Sequence, residues 1–341
     1  FLGRNPQSYA FVSERLRATR ALAMAAVANP SSNNLKHVPD ELRRDPELLR
    51  AALAGHTQAY LHVPDELKAD PELVALAVKT SKGDSLVLES FPEQYRGDRD
   101  IALKMVSQNG LGFQYVTNQL LDDKEVLFAA LDADLRSVQY ASPRLRADPE
   151  VVRRVASSSD CSYAYRYLDD KARNESSIVA LALANGAQLQ EVAEHWRDDD
   201  AMVRVALSRL GINYREVSGR LKQDRDLTLL AAQDHTRGVT WGFDLSWVPE
   251  ALQQDREIVR NAVRSENKNA AHLHPALLAD HDFVRELMAI NEDILQHLPA
   301  STQRALASAI VRTSAHRGRR IAVDCVPDTG YVRGNRRTVD A

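Results

Sequence analysis

The chain repeats itself. Segments 37–53 (HVPDELRRDPELLRAAL), 62–78 (HVPDELKADPELVALAV) and 140–156 (YASPRLRADPEVVRRVA) share one frame. In each, a short segment closes in Leu-x-x-Asp, and the Asp opens an apolar helix pattern. Self-similarity at a period of about 20–50 residues restricts a chain to arrays of small stacked pieces. With that Asp as position zero, zeros fall at Asp45, Asp70, Asp98, Asp123, Asp148, Asp199, Asp224, Asp255 and Asp280. Glu175 and Thr19 fill the place in two further modules, and a degenerate last module centres on Gln303. The commonest step is 25 residues.

Apolar residues recur at +3, +4, +7 and +8, as in Leu48, Leu49, Ala52 and Leu53, or Leu73, Val74, Ala77 and Val78. This is one stripe of an α-helix. The zero Asp suits an N-cap, and Pro46, Pro71 and Pro149 stand at the position where a helix best tolerates proline. Positions −10, −7 and −3 are also apolar, and −6 holds Pro39, Pro64, Pro92 or Pro249, or Thr117, Ser142 or Ser218. A second helix of about two turns is therefore expected before each zero. A lone ten-residue helix is marginal in water, so the apolar faces must be buried against neighbouring copies. The prediction is an all-α fold: an α-solenoid of about 11–12 tandem two-helix repeats of roughly 25 residues. It covers residues 1–311, and a basic Gly/Pro-containing tail or capping segment covers 312–341.

The pattern Leu-x-x-Asp-x-Glu-φ-φ-x-x-Ala-φ, with φ apolar, runs through 95–106, 120–131, 145–156 and 252–263. It resembles a bacterial tandem helical repeat family known only as a domain of unknown function. The resemblance spans most of the chain and is weakest at Thr19, Glu175 and Gln303. It implies a repeat region of the kind found in large bacterial proteins, including secreted effectors of pathogens, and it supplies no catalytic residues.

Composition narrows the function. Lys plus Arg is 44 and Asp plus Glu is 47, for a net charge of −3. That balance argues against a dedicated nucleic-acid or membrane-surface binder. No stretch reaches the ~18 apolar residues of a membrane span. Residues 13–30 superficially resemble a signal peptide, yet Leu22, Ala23, Ala26 and Val27 fit the repeat frame. Two cysteines, Cys161 and Cys325, make no disulfide framework, so a reducing, cytoplasmic compartment is expected, with secretion into a host cell left to the family resemblance. No phosphate loop, His-Glu-x-x-His or Cys-x-x-Cys occurs. His272, His274 and His281 with Asp280 and Asp282 read as caps and repeat positions rather than metal ligands. No catalytic residue, cofactor or metal is assigned, and a non-enzyme is expected.

The best functional clue is position −8: His37, His62, Ser90, Tyr115, Tyr140, Tyr167, Glu191, Glu216, Trp247 and His272. Equal positions of a regular array line up as a ridge, and Tyr and Trp join apolar area to a polar handle. Such a ridge either contacts a partner or packs between modules. The insertion at 234–247 carries His235, Arg237, Trp241 and Trp247, a hot-spot composition that could equally plug a gap between modules. The expected function is a scaffold holding a protein or peptide partner along one face. The alternative from another class is nucleic-acid binding through a +5 column of Arg50, Arg153, Arg204, Arg260 and Arg285.

Overall fold

A computed structural model describes residues 6–30, 33–159, 161–233 and 242–305. The fold is all-helical, with no strand among the described residues. The chain divides into two compact units, one ending at Ala231 and the other continuing from Phe243.

The zero positions are helix starts. In the first unit Asp45 accepts from the amides of Glu47 (3.0 Å) and Leu48 (3.3 Å). The same two-amide cap recurs at Asp70, Asp98, Asp123, Asp148 and Asp224, while Asp199 holds one amide. In the second unit Asp255 holds two and Asp280 one. Such caps stabilise a helix by about 1 kcal/mol each. Thr19 and Glu175 stand at the same place without a side-chain cap bond. The extra methylene of Glu carries its carboxylate past its own first turn. From each zero runs a helix of two to three turns, such as Pro46–Gly55, Pro71–Thr80 and Lys124–Ala133. The predicted stripe is buried: Leu48, Leu49, Ala52 and Leu53 in one helix, Ile258, Val259, Ala262 and Val263 in another.

The second element differs from the expected two-turn helix. In most modules it is a 3-10 turn ending at −8, spanning −13 to −8 in Thr57–His62, Gly110–Tyr115, Leu135–Tyr140 and Asn267–His272, while Ser85–Ser90 and Ser162–Tyr165 are short α-helices. A separate single turn follows over about −5 to −2, such as Glu93–Arg96 or Pro143–Arg146. The break is residue −7. Val38, Val63, Phe91, Val248 and Leu298 are extended there, each directly before a proline, and a residue before proline is pushed out of the helical region. Where −6 is Ser, its hydroxyl caps the next turn: Ser142 Oγ accepts from Leu145 N and Ser218 Oγ from Leu221 N.

The last module needs a corrected register. Counted back from residue 305, two past Gln303, Glu292–His297, the extended Leu298 and Pro299 take −13 to −6, although Ala305 itself is helical. Gln303 then stands at −2, and its Nε2 donates to Leu298 O (2.8 Å) as Gln253 Nε2 does to Val248 O (2.7 Å). The apolar stripe of Leu306, Ala307, Ile310 and Val311, at +3, +4, +7 and +8 from Gln303, is what places the zero two residues earlier in the sequence.

Contacts between modules are polar as well as apolar. Within the first unit, helix Pro46–Gly55 packs on Arg20–Val27 and on Pro71–Thr80. Buried asparagines at −11 staple modules together. Asn213 Nδ2 donates to Ala206 O (3.0 Å), and its Oδ1 accepts from Leu189 N of the preceding module (2.9 Å). In the second unit Asn269 does the same for Ala262 O and Leu245 N. Backbone rungs add to these: Thr117 N, Ser142 N, Asp169 N and Ser218 N, all at −6, donate to Arg96 O, Leu121 O, Arg146 O and Arg197 O. Proline at −6 has no N–H and cannot make this rung.

Candidate functional site

The 3-10 turns place the −8 side chains. In the modules with zeros from Asp45 to Asp280 each turn buries −10 and the following −7, so −8, between them, looks outward. His37, His62, Ser90, Tyr115, Tyr140, Glu191 and Glu216 each end such a short helical turn in the first unit, and Tyr167 stands just past Ser162–Tyr165. Glu191 is buried, and the other seven are half-buried. In the second unit Trp247 is half-buried and His272 is exposed. In each unit the −8 side chains are therefore open in most modules. His235, Arg237 and Trp241 lie outside the described residues, as do Cys325 and the tail 312–341.

Two members were missed. Phe11 ends the turn Pro6–Phe11, eight residues before Thr19, and is 88% exposed. The −8 column read from the sequence begins at His37, one module after Phe11. His297 ends Glu292–His297 at −8 of the corrected last module and is half-buried. The Leu298-Pro299 pair, matching Val248-Pro249, was the signal for it.

Neighbouring rings sense one another. Burial and then the nearby Glu89 hold the Tyr115 phenol above its ordinary pKa, with Tyr140 contributing. Tyr167 is raised first by its hydrogen bond to Tyr163 (3.4 Å), with Tyr140 acting on it as well. The Tyr163 and Tyr167 rings are 5.8 Å apart, and the Arg166 guanidinium lies 5.0 Å over Tyr163. Burial and then the charges of Lys36 and Arg17 lower the pKa of His37. Burial and then Arg43 lower that of His62.

A second column was invisible in the sequence reading. Position −2 is basic in eight of the nine modules whose zeros run from Thr19 to Asp224: Arg17, Arg43, Lys68, Arg96, Arg146, Arg173, Arg197 and Lys222. All eight are half-buried. The side chains of Arg17, Arg43, Arg96 and Arg173 reach the carboxyl end of the next module's 3-10 turn, where carbonyls lack partners within the turn. Arg96 Nη1 donates to Tyr115 O (3.3 Å), Arg43 Nη1 to His62 O (3.5 Å) and Arg173 Nη1 to Glu191 O (3.5 Å). Arg197 Nη1 instead meets Glu216 Oε2 (3.2 Å). Each of these four arginines thus touches the −8 residue of the next module, and in these modules the two columns form a double row.

Buried rings fix the backbone under this row. The hydroxyls of Tyr9, Tyr60 and Tyr214, all at −10, donate to Arg17 O (2.8 Å), Lys68 O (2.6 Å) and Lys222 O (3.1 Å), and Tyr165 donates likewise to Arg173 O. Burial pushes all four phenols up. An open groove of about 600 Å³ lies on the row, lined by Arg166, Asp170, Arg173, Asn174, Gln190 and Glu191.

The +5 arginines are differently placed. Arg50, Arg153, Arg204 and Arg285 are exposed and Arg260 is half-buried. Arg50 pairs with Glu72 (2.7 Å), Arg204 with Asp200 (2.9 Å), Arg260 with Glu286 (2.5 Å) and Arg285 with Asp282. Four of the five are thus tied to carboxylates, as on a solvated helix face. Cys161 is buried, its thiol facing Ala182 O (3.4 Å). His274 Nδ1 caps the turn Pro275–Leu278 by accepting from Ala276 N. Among the described residues no cluster of His, Cys, Asp or Glu is arranged to hold a metal, and no helix is long and apolar enough to cross a membrane.

Comparison with known proteins yields one likeness. A family model described as a domain of unknown function (DUF4116) matches residues 70–121. That stretch runs from the cap Asp70 to just short of the cap Asp123, two module lengths, and includes Tyr115 and Arg96 of the double row. No curated protein and no solved structure matches.

Proposed function

We propose that the chain is a protein-binding scaffold whose modules stack as an α-solenoid and hold a protein or peptide partner along the −8 row. The observation that carries this reading is the row's open placement. Rings and polar side chains recur at one position in module after module, on fixed turns, without being consumed by packing. Aromatic side chains held rigidly on a scaffold gain contact area at little cost in conformational freedom. Many modest contacts along such a row add up. The matched domain model supports extending one repeat family over the neighbouring modules. A bacterial, effector-like setting and a reducing compartment belong to this proposal, resting on the resemblance of the repeats and on the low cysteine count.

The test is affinity capture from lysate with the natural chain beside a Tyr115→Ala/Tyr140→Ala/Tyr167→Ala variant whose circular dichroism is unchanged. Each ring is partly exposed, so the fold should survive. The variant is expected to lose at least one partner that the natural chain retains, with affinity down about tenfold or more, as for interface hot spots. Equal recovery of every partner contradicts the reading.

A further inference from the structure

We infer that the partner laid along the double row is an acidic, extended peptide segment, whose carboxylates dock on the −2 guanidinium groups between the −8 tyrosines. This rests on the preceding reading of the row as a contact surface and names the chemistry of what it contacts.

The argument is charge complementarity. Among the described residues, Arg17, Arg96, Arg146 and Lys222 have no carboxylate within 4.0 Å, unlike four of the five +5 arginines. Arg96 spends its donors on two carbonyls, Phe91 O (3.1 Å) and Tyr115 O (3.3 Å), which fix its direction without neutralising it. The buried Nε of Arg146 has no partner. A guanidinium held in place by carbonyls and half-screened from water attracts a carboxylate more strongly than a freely solvated one. Arg96 and Arg146 stand two modules apart, with Leu121 at −2 between them and Tyr115, Tyr140 and Tyr167 at −8 of the modules that follow, so carboxylates would meet the cations at intervals, with apolar contact between.

The same face disfavours nucleic acid. Asp40, Asp65 and Asp170 stand at −5 beside Arg43, Lys68 and Arg173, and pair with them. Glu191 and Glu216 occupy −8 itself. A continuous phosphate backbone would have to pass these carboxylates, whereas a peptide can place neutral residues opposite them.

The experiment is selection of displayed random peptides of about twelve residues, up to roughly 40 Å when extended, on the full chain. The leading peptide is then measured by fluorescence anisotropy. The expected peptides are rich in Asp and Glu. A copy with Gln and Asn in their place should bind about tenfold or more weakly, and an Arg96→Gln/Arg146→Gln variant should lose a similar factor. Neutral peptides that the Arg variant retains and the tyrosine variant loses would overturn the acidic partner and leave the contact row standing. Peptides held equally by both variants, or no peptide at all, would overturn both. A short oligouridylate that binds and is lost with the Arg variant would put nucleic acid in the peptide's place.

Discussion

Asn213→Leu is expected to lower stability by about 2–3 kcal/mol, although the replacement is apolar and close in size. The Asn213 side chain is 2% exposed. It serves two modules at once: Nδ2 donates to Ala206 O and Oδ1 accepts from Leu189 N. Ala206 O keeps a second donor, the Leu210 amide (3.0 Å). Leu189 N opens the 3-10 turn Leu189–Glu191, and a first-turn amide has no partner within its own helix. Left without Asn213, that amide is buried and unsatisfied, and this supplies most of the loss. Urea denaturation of the variant beside Asn118→Leu, an exposed site expected to change stability by less than about 0.5 kcal/mol, measures it. A loss at Asn213 no larger than at Asn118 would remove the staple from the account.

Gly110→Ala should cost about 3 kcal/mol or more, the upper range of overpacking. A Cβ there would lie 2.2 Å from Ala130 O, 2.7 Å from Ser137 Oγ and 2.9 Å from Asp134 N. Two of these are backbone atoms at the end of helix Lys124–Ala133, which cannot swing aside as a side chain can. The close approach lets the turn Gly110–Tyr115, and with it Tyr115, seat against its helix. Gly219 is the internal contrast. Nothing lies within 4 Å of its added Cβ, and its backbone angle is not in the left-handed region. Gly219→Ala is expected to be neutral or stabilising by up to about 1 kcal/mol. Equal unfolding midpoints for the two variants would contradict the packing described here.

These two glycines also show where sequence reasoning stops. Nothing in the residues near Gly110 distinguishes it from Gly219, because the difference lies in what another segment brings to each. The zero aspartates were readable because a cap is local: the carboxylate, the two amides it receives and the stripe that follows all sit within nine residues. The 3-10 form of the second element was hidden because its −10, −7 and −3 spacing is shared with an α-helix; only the proline at −6 hinted at the break. The staple was hidden because −11 changes identity, being Asn34, Ser137, Asn213 and Asn269 in some modules and Ala59 or Gly112 in others. The −2 cations were overlooked for a different reason. Arg and Lys before a helix start read as ordinary surface charge, and only the carbonyls they reach, one module away, give them a common task. The −8 row is legible in the sequence, and Phe11 follows directly from the zero at Thr19, whereas His297 falls at −8 only when zero is counted two residues past Gln303.

The most direct test of the modular account is to remove one module in register. Deleting residues 123–147 joins Asp122 to Asp148, so that Asp148 inherits the surroundings of Asp123 and the chain loses one 25-residue step. The shortened protein is predicted to keep its helicity per residue and a cooperative urea transition, whereas deleting only residues 123–135 should abolish both. If the in-register deletion unfolds the chain as completely as the out-of-register one, the modules are not interchangeable layers and the account fails.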